Sequence, residues 1–591
     1  MQLRVAFVLL GFLPLISLVS PPVQAESPLQ VIPRELNLIG QFDRAQLLVT
    51  NSAATSAADE RANDLTATAT FQSSDPNVAA VTEGGRVLAV GNGKTTITVS
   101  VGGQSCQVEA NVAEVGSTPV DFIRDIRPVL NKAGCASAAC HAAQHGKGGF
   151  KLSVFGFDPQ ADYEVIAREG RQRRLNPASP EHSLFLRKPS GAMAHGGGLR
   201  LPKQSIEYQM LRAWVAAGAS QPAPEVPVTH LTVTPRQRIA KVRQTQQLRV
   251  VAHYADDSQR DVTALAKYDS MDDGVLSVNG DGKVTCVGQG QAAIMVRYEG
   301  QAEISTFLLP YADSVDLTAG QGNNFGDELA AAKFEQLGIQ PSPLCDDYTF
   351  IRRAYLDAIG TLPSLDEIQA FVEATDPDKR QRLVDRLLGL TGDPAQDVYN
   401  DQYAAYWTLK WSDLIGNNSN SLGEQGMWAL HNWIRESFRT NMPYDAFVRE
   451  LVTAKGSIYS NGPANYFRIH TDSSALTEAT AQVFLGVRLE CAKCHHHPFE
   501  KYSQADYYGL ASFFSRVGSK NSEEFGLFGR ESVVIVRESG DVRHPRTGQL
   551  MQPTPLEGEP IDDPLDRRIP LAAWLASADN SLFAKAVVNR Y

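Results

Sequence analysis

Cys491-Ala492-Lys493-Cys494-His495, continuing into His496-His497-Pro498-Phe499, is the stretch on which the reading of this chain turns. C-x-x-C-H is the attachment motif of c-type haem. Two thiols held this close can add to the two vinyl groups of one porphyrin, and the adjacent imidazole then reaches the iron. The same residues admit a zinc site or a reactive dithiol. Zinc would need a fourth ligand, and no further Cys lies downstream.

The compartment bears on that choice. Arg4 precedes an apolar run from Val5 to Val19, and Val23-Gln24-Ala25 is a small-residue cleavage site. Residues 1–25 therefore read as a signal peptide, with a mature chain that is exported, periplasmic or at the cell surface, and without a transmembrane segment. Of the seven cysteines, Cys135, Cys140, Cys491 and Cys494 fall in two Cys/His clusters; Cys106, Cys286 and Cys345 are scattered singly and read as small buried hydrophobes. Covalent haem is expected where reduced thiols meet haem outside the cytoplasm. A net charge of -11 disfavours nucleic acid as a partner.

A chain of 591 residues needs several cores. Asp64-Leu65-Thr66 recurs as Asp261-Val262-Thr263, Gly85-Arg86-Val87 as Gly282-Lys283-Val284, and Val90-Gly91 as Val287-Gly288, all at an offset of 197 residues. Alternating runs such as Thr95 to Val99 and Ala292 to Val296 read as half-buried strands. Two small antiparallel sandwiches are thus expected, at 29–114 and 228–311. Their D-[LV]-T element, the stretch 73–79 and the hairpin 85–93 resemble the group 2 bacterial immunoglobulin-like domain. That resemblance implies a cell-surface spacer, with cell-surface or polysaccharide contact through these domains.

Between the copies, Val120 to Leu130 has helical spacing and leads into Cys135-Ala136-Ser137-Ala138-Ala139-Cys140-His141. Four residues separate these cysteines instead of two, so a Cys135–Cys140 disulfide or a partial metal site stands beside haem. A last helix is expected over Ser205 to Ala219. With a first helix running into the motif and a last one crossing it, 117–222 resembles a class I cytochrome c. Met193 and His195 precede the last helix; the resembled domains carry His-Gly-Gly-Gly here, which favours His195 as second iron ligand. The same element evokes an esterase oxyanion loop, but the chain has no G-x-S-x-G elbow.

Beyond the linker 318–327, helices are expected over Tyr348 to Asp357, Arg380 to Leu390, Tyr403 to Leu414, Met427 to Val448 and Ser474 to Leu489, the last delivering the Cys491 motif. Trp407, Trp411, Trp428 and Trp433 read as core. The series R-A-Y-L-D-A-I-G-T-L-P, the segment from Ala479 to Tyr502 and D-Y-Y-G-L-A-S-F-F are similar to the planctomycete cytochrome-type domain of unknown function, over 325–520. Residues 560–591 resemble the start of a truncated companion domain.

The expected architecture is multidomain: two all-β Ig-like sandwiches alternating with two mainly α-helical cytochrome c-type domains. The expected cofactors are two haem c groups, anchored by Cys135 and Cys140 and by Cys491 and Cys494, with His141 and His495 as proximal metal ligands and His195 as a further one. Such a protein would be an electron carrier more than a stand-alone enzyme, with an unknown redox partner protein. The rival expectation is a surface adhesion or glycan-associated structural protein whose Cys/His clusters are disulfides or zinc sites. For a sixth ligand of the second haem, His431, His470, Met427 and Met442 are candidates by residue type.

Overall fold

The repeat at an offset of 197 residues folds as two copies of one β topology in the computed structural model, which describes residues 29–51, 60–317, 324–495, 497, 501–523 and 531–591. The expected signal peptide, part of the 318–327 linker, and His496, Pro498 and Phe499 lie outside these residues. In the first copy one sheet runs Glu35–Ile39, Gln104–Ala113, Gly93–Val101, Thr70–Ser73 in spatial order. Arg44–Gln46, Arg86–Ala89 and Ala79–Val81 form a second sheet. The second copy repeats both: Gln237–Ile239, Gln301–Leu309, Gly290–Tyr298, Lys267–Ser270, and Thr245–Gln247, Lys283–Cys286, Leu276–Val278. In each, the first-named strand is parallel to its neighbour.

The recurring D-[LV]-T element explains itself in the hydrogen bonds. Asp64 Oδ1 accepts from the Thr66 N–H, and the Thr66 hydroxyl accepts from the Val49 N–H at 2.9 Å. Asp261, Thr263 and Val250 repeat this. The second carboxylate oxygen of each Asp crosses to the other sandwich: Asp64 Oδ2 accepts from the Gln247 N–H at 2.6 Å, and Asp261 Oδ2 from the Gln46 N–H at 3.1 Å. The two copies are therefore clasped reciprocally, and an Arg86–Asp281 ion pair at 3.0 Å adds to the contact.

Residues 117–222 fold around a helix begun by Phe122–Ile126 and continued by Arg127–Lys132, with Asp121 accepting from the Arg124 N–H at its start. The last helix is Ile206–Ala216, shorter than the sequence suggests, because the chain turns left-handed at Gly218 and Ala219. Its fully buried Trp214 meets Phe122 at 5.5 Å between ring centres, which locks first helix to last.

This segment does not close a core of its own. Its apolar residues, Ile126, Val129 and Trp214 among them, form one continuous cluster with Val250, Leu265 and Phe307 of the second sandwich, whereas the first sandwich keeps a separate core. Charges seal the seam. Arg127 pairs with Glu225 at 2.8 Å and with the buried Glu299. Arg260 pairs with Asp125 at 2.9 Å and Asp43 at 3.4 Å, touching all three units.

From Phe325 onward the chain is mainly helical. A small core gathers Ile351, Tyr355, Phe371 and Leu387, and a larger one runs from Trp411 to Phe583. Leu571, Leu575 and Phe583 belong to the larger core, so residues 560–591 pack onto this helical unit. A three-stranded sheet of Gly456–Ser457, Ser532–Val536 and Val517–Asn521 was not foreseen.

Two helix expectations need correction. Met427 to Val448 is not one helix: Ser419–Arg439 and Tyr444–Thr453 are separated where Asn441 turns left-handed and Pro443, lacking an N–H, restarts the chain. The Ser474 helix stops at Leu485, since Gly486 caps it with φ 69°, and Val487–Leu489 run non-helically into the Cys491 motif. Trp411 is buried as expected, but Trp428 is 54% exposed. No helix among the described residues is long and apolar enough to cross a membrane.

The seam yields a measurable expectation. Arg127→Ala leaves the Glu299 carboxylate buried without its main partner, at a cost of about 3–5 kcal/mol. Denaturant unfolding followed through Trp214 fluorescence should show that loss, while the transition of the first sandwich stays in place.

Candidate functional site

The Cys135 motif sits on turns after the first helix. The Cys135 N–H donates to Leu130 O, and the His141 N–H returns to Cys135 O at 3.1 Å, closing the longer loop on itself. Cys135 and Cys140 are half-buried free thiols, as are Cys106 and Cys345, whereas Cys286 is fully buried. Burial, reinforced by Cys140 nearby, pushes the Cys135 thiol up to about 11, so it stays protonated at neutral pH.

His141 and His195 come together. Their rings are nearly parallel, at 13°, with centres 6.2 Å apart. The His230–His253 pair shows what direct stacking looks like here: 4.0 Å and 10°. At 6.2 Å the two imidazoles do not stack that way. Two imidazoles binding one metal from opposite sides have centres about 6 Å apart, given metal–nitrogen bonds of about 2 Å.

In each ring Nδ1 is tied to a backbone carbonyl: His141 to Phe150 O and His195 to Gly198 O, both at 3.0 Å. Such a bond fixes the tautomer and reserves Nε2 for a ligand. Burial lowers the His141 pKa and keeps that ring neutral. The His195 ring lies over Gly197, where a Cβ would stand 2.9 Å from the ring and push it aside. Met193, the alternative ligand, is half-buried, and its N–H donates to Arg187 O.

Sequence reading missed the surroundings of this pair. Phe150 packs against His141 at 4.6 Å and is itself covered by Arg174. Arg200 donates to Gly197 O at 2.8 Å, which sets a positive charge beside His195. Neither carries a motif that would have singled it out.

At the second motif, Cys491 and Cys494 are exposed on a tight turn, Glu490–Lys493. The turn is held from behind, since Gln504 Nε2 and the Tyr508 hydroxyl both donate to Lys493 O, at 2.8 and 3.1 Å. The buried Gln504 Oε1 has no partner. His495 is half-buried, its ring edge-on to Phe155 at 5.5 Å. His497 is buried, and burial, then the proximity of His495, lowers its pKa. The other sixth-ligand candidates sit elsewhere: His431 packs on Trp428, His470 on Tyr466, and Met427 and Met442 pack against the helical core.

At the first site the residues present supply two thiols and two imidazoles whose Nδ1 atoms are tied to carbonyls, the donor types haem c would need. At the second they supply two open thiols and the adjacent imidazole. The cavity lined by Phe155, Phe157, Lys267 and His497 has a volume of about 80 Å³, well below the ~300 Å³ at which ligand pockets begin. Among the described residues no group of three or more His, Cys, Asp and Glu side chains is placed to hold a metal ion.

Residues 327–519 match the family model described as "Protein of unknown function (DUF1549)", PSCyt2, and residues 227–299 match the bacterial Ig-like domain, group 2. No curated protein is matched. Among solved structures, the S-layer protein SbsC, domains 5-6, aligns at 12% identity over 48% of this chain and 98% of that one, with a TM-score of 0.20. SbsC domains 4-9 align at 12% identity over 49% and 32%, with a TM-score of 0.21. Scores this low carry no structural argument.

The loop between the two motifs rests on one carboxylate, Asp162, which accepts from the Ser153 N–H and, at 2.7 Å, from its hydroxyl. Burial raises its pKa to about 6. The folded state then holds this proton more tightly than the unfolded one. Its contribution is fully present below about pH 4 and is lost as pH rises through about 6, by up to about 3 kcal/mol. Asp162→Asn should flatten stability over that window, as read by denaturant midpoints at several pH values. The chain thus contains a group 2 bacterial Ig-like domain and a PSCyt2 domain of unknown function, preceded by a segment in which the rings of His141 and His195 lie 6.2 Å apart.

Proposed function

We propose that this is an exported, surface-associated scaffold protein that carries two covalently attached haem c groups and moves electrons. The surface or structural part of that reading is supported by the Ig-like domain and by the rigid clasp between the two β copies. One observation carries the haem part: the His141–His195 pair, 6.2 Å apart, with both Nδ1 atoms tied back to carbonyls beside two free thiols.

In this reading Cys135 and Cys140 supply thioether sulfurs at the first site, and Cys491 and Cys494 at the second. Phe150 O and Gly198 O orient His141 and His195, and Arg200 offsets negative charge. A bound haem would supply one-electron chemistry, with two imidazoles setting a lower potential than a Met ligand would. Contact with cell-surface polymers through the Ig-like domains, and an unidentified redox partner, belong to the same proposal.

A second reading keeps the scaffold and drops the haem, making the protein a surface adhesion or glycan-associated structural element whose Cys/His clusters form disulfides or bind zinc. The Ig-like match favours it, since such a domain needs no cofactor. Expression in a host with c-type maturation decides between the two. Sharp α and β bands in the reduced spectrum and two haems by intact mass are expected; a colourless protein overturns the haem reading. Cys491→Ala with Cys494→Ala should remove one haem and leave the other. His195→Ala should convert the first site to a high-spin, carbon monoxide-binding form, whereas Met193→Ala should leave its spectrum unchanged.

A further inference from the structure

The break between Ser419–Arg439 and Tyr444–Thr453 borders a cavity in the helical unit. The turn at 441–443 forms one wall, and residues of Asn400–Ile415 and of Ser581–Arg590 contribute others. Its volume is about 660 Å³, inside the ~300–1,000 Å³ range of small-molecule sites. We propose that this cavity binds a short neutral oligosaccharide, with aromatic walls against the sugar faces and polar groups at the mouth against the hydroxyls. The inference does not depend on haem.

The aromatic walls do more than complete a core. Trp407 and Tyr444 are half-buried and Tyr591 is 60% exposed, so each keeps ring surface open. The rings are also held in place. Trp407 Nε1 donates to Ala358 O at 3.1 Å, and Trp411 Nε1 donates to the Tyr591 hydroxyl. Tyr444 stacks on Phe583 at 4.8 Å and 21°. Rings fixed in advance lose little freedom when a ligand arrives. A pyranose has an apolar face of C–H groups and an edge of hydroxyls, which suits a site of apolar walls with a few placed polar groups.

Those polar groups are present. The Tyr591 hydroxyl accepts from Trp411 and so keeps its own proton to donate. The Tyr444 hydroxyl is buried without a hydrogen-bond partner, a cost that a ligand oxygen reaching it would remove. Asp357, exposed at the rim, accepts from hydroxyls, and Asn441 offers both a donor and an acceptor.

Charge decides against an ionic ligand. Among the described residues no lysine or arginine lines the cavity, so an anion would meet only Asp357. An organic cation would meet two positive charges already beside the walls. Lys410 stands 4.9 Å from the centre of the Trp407 ring, and Arg590 lies close enough to Tyr444 for its charge to act on the phenol. A ligand without net charge avoids both repulsions.

Calorimetry on the full chain tests this with three probes: cellotetraose, maltotetraose and chitotetraose. Saturable binding of at least one is expected. Asp357 and Tyr591 are exposed, so Asp357→Ala and Tyr591→Phe should fold, with circular dichroism like that of the parent. Both should weaken binding, Asp357→Ala by about tenfold, the worth of one hydrogen bond to a charged group. Trp428→Ala removes a 54% exposed tryptophan that lines no part of this cavity, and it should bind like the parent. No binding of any of the three saccharides overturns the inference, as does saturation by tetramethylammonium chloride or indole in their place. Undiminished binding in both Asp357→Ala and Tyr591→Phe, or its loss in Trp428→Ala, puts the sugar elsewhere and overturns it too. The expected result is the same with or without covalent haem, so this inference and the haem reading fail separately.

Discussion

Glu299 is a carboxylate buried at the junction of two units, and a buried charge must be paired or it unfolds its surroundings. Arg127 meets it, and because Arg127 stands on the first helix of the middle segment, that helix cannot leave the second sandwich without stranding both charges. The apolar cluster spreads across the same seam. Phe155 follows from this constraint, since the turn that carries it lies beside Arg127 and Asn131, whose Nδ2 donates to Phe155 O. The turn beside the first candidate site is thus set by how the second sandwich packs.

Much of the fold was legible because it depends on local rules. The D-[LV]-T repeat, the alternating strands and the helical spacing of 120–130 each report a structure that neighbours in sequence decide. Where a breaker overrules spacing, the sequence carries the signal: Pro443 divides one apparent helix, and Gly486 stops another before the Cys491 motif. Trp428 reads as core by residue type, yet burial depends on which face a helix presents, which composition does not encode.

The candidate site was legible in parts. Cys135, Cys140, His141, Cys491, Cys494 and His495 announce themselves by spacing, and the glycines after His195 mark a close approach of backbone to ring. Arg200, Phe150 and Phe155 carry no motif and matter only through tertiary placement. The same limit explains why the seam between the middle segment and the second sandwich could not be read: Arg127, Glu225 and Glu299 are distant in sequence, and their pairing exists only once both units are folded.

The reciprocal bonds of Asp64 and Asp261 have a consequence for assembly. A surface that binds the matching surface of its own duplicate is self-complementary, and two such surfaces in one chain satisfy each other. Contacts of that kind close after a single pairing, whereas head-to-tail contacts between tandem modules propagate into fibres. The two copies therefore pair as an intramolecular dimer, with the Asp64 and Asp261 contacts satisfied inside one chain.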